Sequence, residues 1–342
     1  MREILMQPVA GPRAWRGEAL ARETSWSETL SVPEVADIER ALATAKASGR
    51  SVEEVDREHF PLTVTRERLA RVLEEIYAGR GFVLLRGLPV ERYDDDDVGL
   101  ILWGLGRYLG SPLYQNPQGE LLGHVYDHGR SYGQIDVRGY ETNAYLPYHT
   151  DGCDLVGLLC LRKGLEGGLS SIVSSVTVHN EILARHPEYM GLLYNGFYYI
   201  RREEALGSKG VSDRPVPVFG AKDGVVSCRY IRNQINAGAV KRETPPTTLE
   251  KAALDFMDEQ THRADLRLDM DLQPGDVQLC NNYTILHSRT GFRDGPERHQ
   301  QRHMLRLWLK FPRPWPLDPE FPEQLGYQRA EGPPGKPALV EA

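Results

Sequence analysis

The chain has 342 residues, 41 basic against 48 acidic side chains, a net charge of −7 and a hydrophobic content of 40%, so it can bury the core of one large domain or of two modest ones. The mild acidity argues against nucleic acid or an anionic membrane surface as a partner, because both require a basic excess. No apolar run reaches the ~18 residues of a membrane span, and the first ten residues lack the apolar stretch of a signal peptide, so we expect a cytoplasmic protein. The four cysteines form no CxxC pair, and we expect them to be reduced thiols.

The first hundred residues predict helices around one buried strand. The 33 glycines and 23 prolines favour many turns over long helices. Helical spacing nevertheless predicts a helix over Val32–Ala47 and another that Thr65 caps and that ends at Gly79. Residues 81–90 read as a buried strand. We interpret the acidic run Asp94–Asp97 as the first turn of a helix, where the macrodipole favours negative charge, rather than as a binding cluster.

From residue 140 onward the pattern is mostly strand-like. Strands are expected in the stretches that contain LPYHTD, LVGLLCL, SSIVSSV, TILHS and HMLRLWLKF, and helices near 178–195 and 247–262. Short strands separated by Gly and Pro, with a few covering helices, predict a mainly β fold with flanking helices and a double-stranded β-helix (jelly-roll) core. The Pro-rich residues after Phe311 predict an irregular, extended tail.

The strongest local signal for chemistry is the tripeptide His149-Thr150-Asp151. In an extended segment residues i and i+2 face the same side, so the imidazole and the carboxylate can converge on one metal ion. Two other His-x-acid triplets begin at His179 and His186, but both lie in a helical pattern, where i and i+2 point in different directions. Taken alone, the first triplet fits a hydrogen-bonded polar pair better than a metal site.

A second histidine, His287, ends the strand-like stretch TILHS. A lone histidine is more often an ordinary semi-buried residue than a ligand. Two histidines and one carboxylate from separate strands, however, make the facial triad of non-haem Fe(II) oxygenases, which leaves three metal positions open. The absence of a thiolate from this set suits a redox-active Fe(II) better than a structural zinc. Together His149, Asp151 and His287 therefore predict an iron site.

A basic segment follows the second histidine. Between Arg289 and Arg313 there are seven basic and two acidic residues, in a protein whose net charge is −7. Strand alternation places Arg302, Arg306 and Trp308 on one face of HMLRLWLKF and its leucines on the other. An arginine on a half-buried strand face needs an anionic partner, and a planar guanidinium suits a dicarboxylate. The alternative is a solvated basic edge.

These features resemble the taurine/α-ketoglutarate dioxygenase family, also called the clavaminate-synthase-like oxygenases, which depend on Fe(II) and 2-oxoglutarate. The resemblance rests on HTD at 149–151, GGLSSIV at 167–173, PGD at 274–276, LH at 286–287 and QQRHMLR at 300–306, in this order and spacing. It spans residues 65–312. We therefore expect an N-terminal extension over 1–60 packed on the core, an oxygenase domain over 61–312 with an insertion between the second and third metal ligands, and a Pro-rich tail over 313–342.

The resemblance implies roles for individual residues. His149, Asp151 and His287 would bind iron, and Arg302 would bind the distal carboxylate of 2-oxoglutarate. Arg298 is a weaker candidate for that role because it lies in a polar turn. Ser170 takes the place of a hydroxyl residue that contacts the cosubstrate. Arg306 matches the position that meets an anionic group of the primary substrate in the taurine enzymes.

The implied reaction uses O₂ and 2-oxoglutarate as cosubstrates and releases succinate and CO₂. Its expected outcome is hydroxylation of an aliphatic carbon in a small anionic or amino-acid-like substrate. Halogenation is disfavoured, because related halogenases lack the carboxylate that Asp151 supplies. Desaturation or cyclisation in natural-product biosynthesis, a non-catalytic β-helix binding protein and a zinc hydrolase with the same ligands are the alternatives. The sequence does not specify an oligomeric state.

Residues for the primary substrate are harder to choose. Arg229 and Arg232 lie in RYIRNQINAG between two predicted β-rich segments, and Tyr148 precedes the metal motif. We take these three residues, with Arg306, as candidates to bind a carboxylate or similar anion of the substrate. Ordinary surface ion pairs are an equally good interpretation of the two arginines.

Overall fold

The computed structural model describes residues 4–130, 139–201, 210–329 and 339–341. Its α-helices are α1 Gly17–Leu20, α2 Val32–Ala47, α3 Thr65–Tyr77, α4 Asp95–Leu109, α5 Ser175–Arg185, α6 Met190–Asn195, α7 Arg232–Lys241 and α8 Thr248–His262. Its strands are β1 Ser27–Thr29, β2 Phe82–Arg86, β3 Ser111–Pro112, β4 Leu122–Val125, β5 Leu146–His149, β6 Leu155–Arg162, β7 Glu166–Gly167, β8 Ser170–Ser174, β9 Phe219–Lys222, β10 Val225–Cys228, β11 Arg267–Met270, β12 Val277–Asn281, β13 Ile285–Arg289, β14 Phe292–Arg293, β15 His303–Lys310, β16 Tyr327–Arg329 and β17 Leu339–Glu341. Within these residues, no helix combines the length and apolar character that crossing a membrane would require.

Two sheets form the centre of the fold. The larger has seven strands in the order β1-β2-β12-β6-β15-β3, with β4 also paired to β15, and the smaller has four in the order β11-β8-β13-β5. Neighbouring strands are antiparallel except for β1 and β2. Three two-stranded pairs, β9–β10, β7–β14 and β16–β17, lie outside the two sheets.

Strand alternation divides the buried side chains into three cores. On β12, Leu279 packs with the helices α2, α3 and α4 on the outer side of the large sheet, whereas its neighbour Cys280 faces the small sheet. On β13, Ile285 faces the large sheet, and Leu286 packs outward against α5, α6 and α8. The molecule is therefore layered as helices, large sheet, small sheet and helices, and the strand residues that point inward share one central space.

Several local predictions are confirmed. The helix over Val32–Ala47 has the expected bounds. Asp94 caps α4, its side chain accepting from the Asp97 N–H at 2.7 Å, so the acidic run is a helix N-terminus. The four cysteines are buried and free. The mainly β core with flanking helices is also observed, as two separate sheets.

Two helix predictions need correction. Thr65 is the first residue of α3 rather than its cap, because the Asp37 carboxylate accepts its N–H at 2.9 Å while the Thr65 hydroxyl donates to the Glu34 carbonyl oxygen. The helix predicted over 178–195 is two helices, α5 and α6, separated by a 3₁₀ turn that begins at Pro187. Proline cannot donate the backbone hydrogen bond that a continuous helix needs there.

The C-terminal tail lacks regular structure over most of its described length, as predicted, but it does not extend away from the core. Trp315, Phe321 and Tyr327 are buried, and Trp315 stacks on Tyr283 of the core at 5.5 Å between ring centroids. Trp315, Phe321 and Tyr327 of the tail therefore pack against the core of the fold.

Candidate metal centre

Three ligand-bearing side chains meet at the end of β5. His149 is the last residue of this strand, Asp151 follows two residues later, and β13 places His287 directly opposite His149. The Asp151 carboxylate lies 3.8 Å from Nε2 of His149 through Oδ1 and 3.8 Å from Nε2 of His287 through Oδ2. Ligand atoms of all three residues lie within 4.8 Å of one another. The structure thus brings together the three residues that the sequence indicated.

Both imidazoles are held in a form that suits a metal ion. His149 Nδ1 lies 2.7 Å from the Pro147 carbonyl oxygen, so it carries the proton and Nε2 keeps its lone pair for the centre. Burial lowers the pKa of His149, and burial together with the neighbouring His149 lowers the pKa of His287 to about 3. Neutral imidazoles at pH 7 can bind a metal without first losing a proton.

The Asp151 carboxylate is ionised and held by β15. Trp308 Nε1 donates to Oδ2 at 3.0 Å, and Arg306 Nη1 lies 3.7 Å from the same oxygen. Burial alone raises the pKa of this carboxyl group, but the positive charge of Arg306 and the hydrogen bond from Trp308 are among the causes that hold the pKa below its ordinary value. Because both β15 contacts use Oδ2, Oδ1 is the oxygen whose lone pairs are available to a metal ion.

Arg306 is fixed between two aromatic rings. Its guanidinium carbon lies 4.6 Å from the ring centroid of Tyr140 and 4.8 Å from that of Trp308. Nε donates to Gln115 Oε1 at 2.7 Å, and the Gln115 amide donates back to the Arg306 carbonyl oxygen at 2.9 Å. The two rings and Gln115 together hold the guanidinium in one position beside Asp151.

Arg302 is the second inward arginine. Its side chain is buried, and its Nη1 has no hydrogen-bond partner within the described ranges. Burial lowers the pKa of this guanidinium to about 10. The group packs over Phe292 at 5.2 Å, and a Cβ at Gly168 would stand 2.9 Å from its Nε, so the Gly-Gly turn makes room for it. A buried guanidinium with an unsatisfied donor suits the binding of an anion.

Ser170 and Arg298 differ in their surroundings. Ser170 is buried at the start of β8 and donates to Gln278 Oε1 at 3.1 Å. Arg298, the weaker sequence candidate, lies on the surface, where 75% of its side chain is exposed and Nη2 is 2.9 Å from Asp95. Of the two arginines considered for the cosubstrate, Arg302 is therefore the buried one.

The other substrate candidates lie in different environments. Arg232 begins α7 and is 2.7 Å from both Asp255 and Asp258, so carboxylates of α8 already neutralise it. The Tyr148 hydroxyl is 2.5 Å from Ser171 Oγ, and its ring packs in the outer core of the small sheet. Both residues thus have structural partners away from the triad. Arg229 is buried and packs over the Tyr199 ring at 5.8 Å.

Four residues at the centre had no role in the sequence analysis. Trp308 and Gln115 hold Asp151 and Arg306 as described, and Asn282 Oδ1 accepts the Asp151 N–H at 3.1 Å. Arg289 is buried on β13, two residues after His287, and its positive charge helps to lower the pKa of His149. Strand alternation had already placed Trp308 on the same face as Arg306 and could have placed Arg289 on the inner face of its strand, but no local pattern indicates Gln115 or Asn282.

One family model and several known proteins match the sequence of this chain. The sequence model described as "Taurine catabolism dioxygenase TauD, TfdA family" matches residues 45–308. FR-33289 synthase of Streptomyces rubellomurinus is 31% identical over 315 residues, which cover 90% of this chain and 92% of that protein. Taurine hydroxylase-like protein SAT17 of Stachybotrys chartarum is 27% identical over 308 residues, which cover 86% of this chain and 77% of that protein.

Two solved structures of iron-containing oxygenases share the fold of this chain. An asparagine oxygenase in complex with Fe(II), 2S,3S-3-hydroxyasparagine and succinate superimposes with a TM-score of 0.64 at 18% identity, over 83% of this chain and 94% of that one. The non-haem iron oxygenase OrfP in complex with Fe and α-ketoglutaric acid gives a TM-score of 0.61 at 15% identity, over the same shares of the two chains. At these identities the likeness establishes a shared fold.

Proposed function

Because this chain belongs to the taurine catabolism dioxygenase TauD, TfdA family, we propose that His149, Asp151 and His287 hold the Fe(II) of a 2-oxoglutarate-dependent dioxygenase. The observation that carries this proposal is the convergence of two neutral imidazoles and one ionised carboxylate within 4.8 Å. Three nitrogen and oxygen ligands on one side of an ion are the donor set of non-haem iron oxygenases. The bound iron would supply the activation of O₂ that the reaction requires.

We propose that Arg302 binds the distal carboxylate of 2-oxoglutarate and that Ser170 contacts it. The buried, unpartnered Nη1 of Arg302 supports this assignment, since a carboxylate can receive two parallel N–H donors from one guanidinium. Ser170 can turn its hydroxyl from Gln278 to the incoming carboxylate, because a hydroxyl proton rotates freely about its C–O bond. Burial strengthens both contacts.

The substrate class follows from Arg306. We propose that a small substrate presents an anionic group to this guanidinium, because Gln115, Tyr140 and Trp308 hold this buried cation in one position. Arg306 lies 3.7 Å from Asp151, so the anionic group would lie close to the carbon that reacts. Two proteins with a similar fold are an asparagine oxygenase and OrfP, which was solved with a hydroxylated arginine. This similarity supports an amino-acid-like substrate whose aliphatic carbon is hydroxylated.

We also propose that the two sheets are the two halves of a double-stranded β-helix. The inner faces of β6, β12 and β15 pack against those of β8, β11 and β13 in one core, and the triad lies where β5 and β13 pair. In this arrangement the iron ligands and both inward arginines share one enclosed space.

The test is 2-oxoglutarate turnover. Protein loaded anaerobically with Fe(II) should form succinate on exposure to O₂, and small carboxylates, sulfonates, phosphonates and amino acids should be screened for stimulation. His149→Ala and Asp151→Ala should abolish turnover. Arg302→Ala should raise the 2-oxoglutarate requirement, and the exposed Arg298→Ala serves as the matched control. The proposal would be overturned if Asp151→Ala still bound iron and still turned over 2-oxoglutarate.

A further inference from the structure

The backbone of the metal motif, defined here as His149–Cys153, contacts a segment from the far end of the chain. This segment, Gln324–Tyr327, is here called the C-terminal brace. With its amide nitrogen facing them, Gln324 donates to the carbonyl oxygens of Asp151 at 2.6 Å and of Cys153 at 2.7 Å. The Gln324 side chain is 1% exposed, so both hydrogen bonds are made away from water. One amide group thus joins two peptide groups of the metal motif.

Gly326 makes the next contact through its backbone. Its N–H donates to the Gly152 carbonyl oxygen at 2.7 Å, so three consecutive carbonyl groups of the metal motif accept hydrogen bonds from the C-terminal brace. Gly326 has a φ of +62°, and a Cβ there would stand 2.5 Å from the Tyr114 carbonyl oxygen and 3.6 Å from the Trp308 ring. A side chain would therefore push the brace away from the metal motif.

The Asp151 backbone needs these partners because it has left the sheet. β5 ends at His149, and a buried carbonyl group outside a sheet remains unsatisfied unless another donor reaches it. The carboxylate of Asp151 projects from the same residue whose carbonyl group Gln324 holds. A shift of this backbone would therefore move the Asp151 carboxylate relative to His149 and His287.

We propose that the C-terminal brace positions the metal motif and that Gln324 is its positioning residue. The inference rests on the proposed iron site, and it assigns a role to residues outside the 45–308 match to the family. Partners that orient metal ligands without touching the metal typically contribute about 10- to 100-fold to metal affinity. Because Gln324 acts through the backbone, we expect the lower end of this range.

The experiment compares Gln324→Met with Gln328→Met in the full chain. Methionine keeps the side-chain length and removes the donors, and Gln328 is an exposed residue of the same tail whose amide donates to the Leu325 carbonyl oxygen. Gln324→Met should bind Fe(II) or Co(II) about tenfold more weakly and change the absorption band of its Fe(II)–2-oxoglutarate complex. Gln328→Met should match the wild type in both measurements. Equal metal affinity in all three proteins would overturn the proposal.

A measurement on the wild type keeps the test decisive if Gln324→Met does not fold. Metal binding should slow hydrogen exchange at the Gly326 amide, because the brace and the metal stabilise the same backbone. If metal loading left the rate of hydrogen exchange at the Gly326 amide unchanged, the proposed positioning role of the C-terminal brace would be contradicted. A wild type that binds no metal, or an Asp151→Ala variant that binds it normally, would instead contradict the iron site itself.

Discussion

Replacing Arg302 by methionine should stabilise the protein without ligands and remove its response to 2-oxoglutarate. Burial lowers the pKa of Arg302 from 12.5 to about 10. Each pKa unit corresponds to ~1.36 kcal/mol, so the charged group destabilises the unloaded fold by about 3 kcal/mol. Methionine keeps the apolar stem but loses the packing of the guanidinium over Phe292, which is worth about 1 kcal/mol. The net gain is about 2 kcal/mol, or roughly 2 to 5 °C in Tm for a chain of this length.

The same substitution should weaken 2-oxoglutarate binding. A bidentate contact between a guanidinium and a carboxylate is worth about 3 kcal/mol, which corresponds to ~100-fold in Kd. Thermal unfolding of Arg302→Met and wild type, each with chelator alone and with Mn(II) plus 2-oxoglutarate, measures both effects. Calorimetric titration under anaerobic conditions gives the Kd directly. Arg298→Met should change neither quantity, because its side chain is 75% exposed.

One combination of results would refute the reasoning. If Arg302→Met lowers the Tm of the unloaded protein by several degrees and still binds 2-oxoglutarate as tightly as the wild type, Arg302 serves the fold and not the cosubstrate. Arg302→Lys separates charge from shape. It should keep part of the affinity through its charge and lose the part that depends on two parallel donors.

Three further predictions concern other side chains. Trp308→Phe removes the donor to Asp151 Oδ2 and should weaken Fe(II) binding about tenfold in a metal titration, whereas Trp315→Phe, which removes a donor to Ser227, should not. Gln115→Leu removes the hydrogen bond that holds the Arg306 guanidinium and should raise the KM for the primary substrate about tenfold, with unchanged affinity for 2-oxoglutarate. A change in 2-oxoglutarate affinity without a change in this KM would argue against Arg306 as the substrate-binding residue. Burial lowers the pKa of His179 to about 4, so protons bind the unfolded state preferentially as the pH falls below 6.5. His179 alone should contribute a loss of about 2 kcal/mol in the free energy of unfolding between pH 7 and pH 5, so urea unfolding of His179→Phe should show a loss smaller than that of the wild type by this amount.

The metal triad could be predicted because its signal is local. Residues i and i+2 of an extended segment share a face, which settles the convergence of His149 and Asp151 before any tertiary contact is known. The same alternation placed Arg306 and Trp308 on one face of β15, and both lie against the Asp151 carboxylate. His287 needed an additional inference, that its strand lies beside β5, and the pairing of His149 with His287 agrees with that inference.

The supporting contacts could not be predicted because they join distant parts of the chain. Gln115 reaches Arg306 across 191 residues, and Asn282 reaches Asp151 across 131. The interpretation of Arg232 as a substrate residue had the same weakness, since its partners Asp255 and Asp258 lie on another helix. Charge and spacing in the sequence show that an arginine needs an anion, but only the fold shows whether the protein supplies it.

The net charge of −7 conceals the electrostatic character of the centre. Arg289, Arg302 and Arg306 are all buried, and Arg306 lies 3.7 Å from the ionised carboxylate of Asp151. A bound Fe(II) would add two more positive charges to this centre. Each anion that binds there would therefore reduce the repulsion among the buried positive charges. A ligand that binds only the folded state stabilises it by an amount set by its concentration and Kd. The buried arginines therefore lower the stability of the ligand-free protein. Binding of 2-oxoglutarate at Arg302 and of an anionic substrate at Arg306 would neutralise these charges and raise the stability again.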